Sequence, residues 1–97
     1  MQSSLREKGS AVSRVMQIIE AVSKAERPLS PADLAIFLHI PKPSIHRFLN
    51  QLEDDGFVQT TLRGLIIPGI RMHGVAWGVL HSERFSAARR AILEQLT

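Results

Sequence analysis

The side chains best suited to recognition chemistry lie between residues 42 and 51, in the run KPSIHRFLNQ: Lys42, Ser44, His46, Arg47, Asn50 and Gln51. They are of the types that read duplex DNA. Arginine pairs bidentately with guanine, and asparagine or glutamine with adenine, each good pair discriminating by about 1–3 kcal/mol in the major groove. Lysine and the first amides of a helix hold phosphate instead. At about 100° per residue, Arg47 and Asn50 fall opposite an apolar stripe of Ile45, Phe48, Leu49 and Leu52, with Ser44, His46 and Gln51 on the flanks. One helix can therefore bury one side and present the other as a polar face. The competing reading of Arg47 is a solvated surface arginine, and of His46 a ring packed at the helix edge. The outward position favours a DNA contact for Arg47 and leaves His46 open.

Other chemistries find little support. His39, His46, His73 and His81 lack the ligand spacing of a known metal site, and the chain has no cysteine. No glycine-rich phosphate loop or nucleophile elbow is present, and Glu53, Asp54 and Asp55 crowd one helix end instead of facing a cleft. No enzyme, metal or cofactor is expected. Ninety-seven residues suit one domain, and 44% hydrophobic with 22% charged residues is ordinary globular composition. The net charge of +3, from 12 basic and 9 acidic side chains, favours an anionic partner only mildly. The lack of cysteine agrees with a reducing compartment. The longest uncharged apolar stretch, Gly74 to Leu80, is far too short to span a bilayer. These observations lead to the expectation of a soluble cytoplasmic protein without a membrane segment.

The elements that position the polar face follow from spacing and punctuation. Residues 1–9 are polar and mixed in charge and read as a flexible arm. A scaffold helix is expected from a cap at Ser10 to about Ala25, with Val12, Val15, Met16, Ile19 and Val22 as its apolar stripe. Ser30 before Pro31 marks the next helix start, Leu34, Ala35 and Leu38 face the core, and Pro41 ends that helix by disfavouring helical geometry at Ile40. Pro41 and Pro43 sharpen the start of the reading helix, placed at about 42–55, and Gly56 is its left-handed stop. Its acidic C-terminal end is a poor place for phosphate, so the N-terminal half should face DNA. Phe57–Thr60 and Leu65–Ile67 bracket a turn and form a hairpin, a wing whose Arg63 reaches phosphate or the minor groove or else is simply solvated. From Gly69 a helix is apolar on two sides. One is expected to cover the domain's own core and the other, with Ile70, Trp77 and Leu80, to meet a second copy. Gly74 and Gly78 leave a small-residue strip along it. Ser82 then caps a last helix carrying Phe85, Ala88, Ile92 and Leu96.

The opening helix, Leu34-Ala35, Ile40-Pro41-Lys42, Ser44-Ile45-His46-Arg47-Phe48-Leu49, Leu52-Glu53 and Gly56-Phe57-Val58 together resemble the N-terminal DNA-binding domain of the IclR family of bacterial transcription regulators. The resemblance covers about Ser10 to Leu96. The hydrophobic-Pro-Lys start followed by hydrophobic-His-Arg is its specific part. It implies a winged helix-turn-helix, a linker helix that pairs two subunits, and a larger effector-binding domain beyond Thr97. Two departures stand out: His39 where the family usually has glycine, at a position that should need positive φ, and Pro43 where it usually has a hydroxyl residue.

The expectation is thus a mainly α winged helix-turn-helix, a three-helix core with a short hairpin wing over residues 10–69, followed by linker and C-terminal helices over 70–97. Its function would be sequence-specific binding of a pseudo-palindromic DNA operator as a homodimer, half-sites lying about one helical turn, roughly 34 Å, apart. A small-molecule effector would act only through the domain beyond this chain. The alternative from a different class is a winged-helix module for protein–protein assembly that never touches DNA. The exposed Lys42, Ser44, His46, Arg47 and Asn50 set opposes it, since protein-binding faces carry aromatic or aliphatic anchors.

Overall fold

The computed structural model describes residues 2–96, with side chains placed for 11–84 and 86–95. Its elements run α1 (Gln2–Lys24), α2 (Pro31–Leu38), α3 (Lys42–Asp54), β1 (Val58–Thr60), β2 (Ile66–Pro68), α4 (Ile70–Leu80) and α5 (Glu83–Leu96). The expected class holds: a mainly helical winged helix-turn-helix.

Helix α1 departs from expectation at its start. Its backbone is already helical at Gln2, so residues 2–9 form no separate arm and Ser10 lies inside the helix instead of capping it. Met1 falls outside the described residues. Leu5, Arg6, Glu7 and Lys8 are good helix formers, and the lone Gly9 costs only about 1 kcal/mol against alanine. The apolar stripe is also rotated. Ile18 is completely buried and Val22 nearly so, with Val15, Ile19 and Ala21 against them, while Val12 and Met16 are exposed. A spacing of three and four fits both sets. Packing of α1 against α2 and β2 decides between them, burying the side that carries Ile18 and Val22.

Both helices of the reading motif are closed by local bonds. At the start of α2, Ser30 Oγ accepts from the Asp33 amide (3.0 Å) and Asp33 Oδ2 accepts from the Ser30 amide (3.1 Å), a reciprocal capping box with Pro31 in the first turn. At its end His39 is left-handed (φ 54°, ψ 43°), and the Ala35 carbonyl accepts from the amides of both His39 and Ile40. This reversal drives Ile40 into the core. Helix α3 ends the same way at Gly56 (φ 83°), whose amide donates to Glu53 O (3.0 Å) while Phe57 N donates to Leu52 O (2.8 Å). These are the crossed bonds of a Schellman stop.

The wing strands are antiparallel, Val58 opposite Pro68 and Thr60 opposite Ile66. Each begins one residue later than the sequence pattern suggests. A third segment joins them: Leu29 bridges Ile66, whose amide donates to Leu29 O at 2.7 Å. Val58 and Ile66 thereby complete a core of Ile18, Val22, Leu34, Ile40, Ile45, Leu49 and Leu52.

The hairpin leaves nothing for α4 to cover. No α4 residue is buried, and only Met72 is even half-buried, so the expectation that one face of α4 seals the domain's core is not met. The helix is instead stitched on at its start. Gly69 N donates to Phe57 O and Arg71 N to Gly56 O, both at 2.9 Å. Arg71 Nη1 donates to Asp55 O (3.1 Å), and its guanidinium carbon lies 4.5 Å from the centre of the Phe57 ring. Gly69 is obligatory at this joint, since a Cβ there would sit 2.4 Å from Gly56 O. Helix α5 follows from Glu83, with Ile92 and Leu93 exposed; the side chains of Phe85 and Leu96 fall outside the described set.

Candidate nucleic-acid interface

Helix α3 separates its two faces as the spacing requires. Ile45, Leu49 and Leu52 are buried and Phe48 is half-buried, which locks the rotation of the helix. Lys42, His46, Arg47, Asn50 and Gln51 are consequently exposed, while Ser44 is half-buried beside the core edge. The Arg47 guanidinium carbon lies 5.2 Å from the centre of the Phe48 ring, so the side chain has an aromatic rest at its base while the residue stays exposed.

Charge grades along this face. Helix α3 opens at Pro41 with no side-chain cap, and Lys42 is its first residue. Its N-terminal end thus combines the positive pole of the helix with a lysine, an arrangement suited to phosphate. Glu53, Asp54 and Asp55 are exposed at the other end. The face is therefore positive at its first half and negative at its last turn.

The wing is held against one flank of α3. Glu53 Oε2 accepts from the Thr60 amide at 3.0 Å, bracing β1. Between helix and hairpin lies a concavity of about 460 Å³ lined by Pro31, His46, Leu49, Asn50, Glu53, Thr60, Gly64 and Ile66. His46 and Asn50 therefore share a groove with the wing turn. Arg47 and Gln51 lie further round the helix, outside that groove. Arg63 stands exposed at the hairpin tip beside Gly64, apart from the α3 set. The sequence pattern sets Glu53 in an acidic cluster and in the Leu52-Glu53 pair of the family resemblance, and neither reading contains its bond to Thr60. Its position one turn past Asn50, facing a strand a few residues on, was the available signal.

The residues assigned to pairing, Ile70, Trp77 and Leu80, are all exposed on α4. Trp77 stacks on His81 with ring centres 3.6 Å apart, and His81 Nδ1 lies 2.9 Å from the Trp77 carbonyl. Among the described residues, no three His, Cys, Asp or Glu side chains are grouped to hold a metal ion. None of the described helices is long and apolar enough to cross a membrane.

The description of the IclR helix-turn-helix domain matches residues 11–61, from within α1 to just past β1. The chain belongs to the IclR helix-turn-helix family. It is similar to the probable transcriptional regulator SauR of Cupriavidus necator, 37% identical over 87 residues, which are 89% of this chain and 34% of that protein. Its fold is that of the repressor BlcR of Agobacterium tumefaciens, with a TM-score of 0.69 at 22% identity over 95% of this chain and 37% of BlcR. The chain thus spans about a third of the length of each. Family membership makes it a helix-turn-helix domain of the DNA-binding transcription-regulator type.

Proposed function

We propose that this IclR-type domain binds a specific DNA operator with α3 in the major groove. The observation that carries the reading is the exposed polar face of α3, whose rotation is locked by Ile45, Leu49 and Leu52. Arg47 and Asn50 are the base readers, Ser44, His46 and Gln51 flank them, and Lys42 with the first amides of α3 takes phosphate at the helix start. Arg63 reaches the backbone or minor groove beside the wing.

The operator is an inverted repeat, bound by a two-fold pair that meets through Ile70, Trp77 and Leu80. Support comes from Trp77, which remains 66% exposed on a helix that buries none of its residues. A chain that sediments as a monomer at high concentration would remove the pairing. Any small-molecule effector is assigned to residues outside these 97, and the place of action to the bacterial cytoplasm.

Selection of duplexes from a random library, followed by titration across salt, tests the whole reading. The expected result is an enriched inverted repeat bound more tightly than its scramble, with affinity falling steeply as salt rises. No binding even at low salt would instead favour an assembly module.

A further inference from the structure

The wing tip carries a feature that the reading above leaves unused. Leu62 is the most exposed large hydrophobic residue described, at 109% of its reference area, and it sits beside Arg63. The turn that holds it is rigid: Thr61 N donates to Leu65 O (2.8 Å), Gly64 N to Thr61 O (2.9 Å) and Leu65 N to Thr61 Oγ1 (3.2 Å), with Gly64 left-handed at φ 77°. This is a three-residue hairpin loop whose last residue, Gly64, takes the left-handed position and whose first is Leu62. Leu62 is therefore presented at the apex, with the loop's ordering cost already met before any partner arrives.

Charge and placement indicate what that partner is. From Gly56 to Ser82 the chain contains no aspartate or glutamate. Glu53 is the one carboxylate lining the groove beside the apex, and it is tied to the wing backbone through the Thr60 amide, so an apolar apex with an arginine neighbour still suits a polyanion. The groove shared by His46, Asn50 and Gly64 sets this apex on the flank of α3, so that a duplex with α3 in its major groove runs its adjacent backbone and minor groove under the wing.

We propose that Leu62 is a minor-groove wedge, inserting its side chain against base edges and sugars next to the half-site while Arg63 holds the flanking phosphate. The proposal rests on the major-groove reading of α3. An apolar wedge partly unstacks the step it enters, and pyrimidine–purine steps open most readily. Leu62 thus selects such steps at a position that α3 does not touch.

The test uses the 97-residue chain, Leu62→Ala and Arg63→Ala, with library selection, salt titration and 2-aminopurine placed at the flanking step. The parent should enrich a half-site core together with a flanking pyrimidine–purine step, and should raise the 2-aminopurine emission on binding. Leu62→Ala should keep the core, lose the flanking preference and the emission change, bind about tenfold more weakly, and leave the salt slope unaltered. Arg63→Ala should lower the slope by about one phosphate's worth. Leu62→Ala with an unaltered flank preference and emission would overturn the wedge while leaving the α3 reading standing. A parent that enriches no half-site would overturn both.

Discussion

Replacing Gly69 by alanine should destabilise the domain far more than its size suggests. The added Cβ would lie 2.4 Å from Gly56 O, 2.9 Å from Gly56 C and 3.0 Å from Phe57 C, all backbone atoms that cannot rotate aside. Reaching the 3.4 Å at which ordinary contact begins requires 3.4 − 2.4 = 1.0 Å of separation. Two backbone bonds cross the same gap, Gly69 N to Phe57 O and Arg71 N to Gly56 O, each 2.9 Å long. Stretching them by that amount takes both beyond hydrogen-bonding range. At about 1 kcal/mol net per bond, and with overpacking of about 1–3 kcal/mol as the alternative to opening, the loss is about 2–3 kcal/mol. For a domain of this size that lowers Tm by about 10–20 °C. Urea and thermal unfolding followed by far-ultraviolet circular dichroism measure it directly. Gly74→Ala is the control: its Cβ meets nothing within 4 Å, so it should raise helix stability by about 0.5–1 kcal/mol. A Gly69→Ala protein within about 0.5 kcal/mol of the parent would refute the steric reasoning.

Three further outcomes follow from single contacts. His39→Gly should stabilise by about 0.5–1 kcal/mol, because the residue is left-handed and its side chain exposed; urea midpoints compare the two. Ser30→Ala removes one half of the α2 capping box and should cost about 0.5–2 kcal/mol, read from the same midpoints. Arg47→Ala should leave the fold intact, since the residue is exposed, yet abolish preference for the selected operator over its scramble in a competition assay.

The reading motif was legible because its signals are local. Ser30-Pro31, Ile40-Pro41 and Gly56 each act within a few residues, and the structure places the helix ends and both left-handed stops where those residues demand. Long-range choices were not legible. Two interleaved stripes on α1 satisfy the same spacing, and only the tertiary packing of α1 against α2 and β2 selects Ile18 over Val12 and Met16. The Leu29 to Ile66 bridge joins segments far apart in the chain and leaves no periodic trace. It also explains why α4 lacks its expected role, since the core is closed before the chain reaches it. At the interface, exposure of Arg47 and Asn50 followed from the helical wheel, with His46 and Gln51 exposed on the flanks, whereas Ser44, counted with the exposed set, is half-buried. The groove joining His46 and Asn50 to the wing turn required tertiary packing to become visible.

The attachment of α4 makes it a lever. Its direction is set by Gly69 and Arg71 clasping residues 55–57, the turn that also ends the reading helix. Eleven residues at about 1.5 Å each give an arm of roughly 16 Å, so a tilt of about 10° at the joint moves its far end by roughly 3 Å. Transmission runs both ways. A torque on the outer end of α4 reaches α3 through a backbone clasp that has no room even for a methyl group, instead of dissipating in a slack connector. In the two-fold pair proposed above, whatever holds the far ends of the two α4 arms would set the spacing and pitch of the two α3 helices.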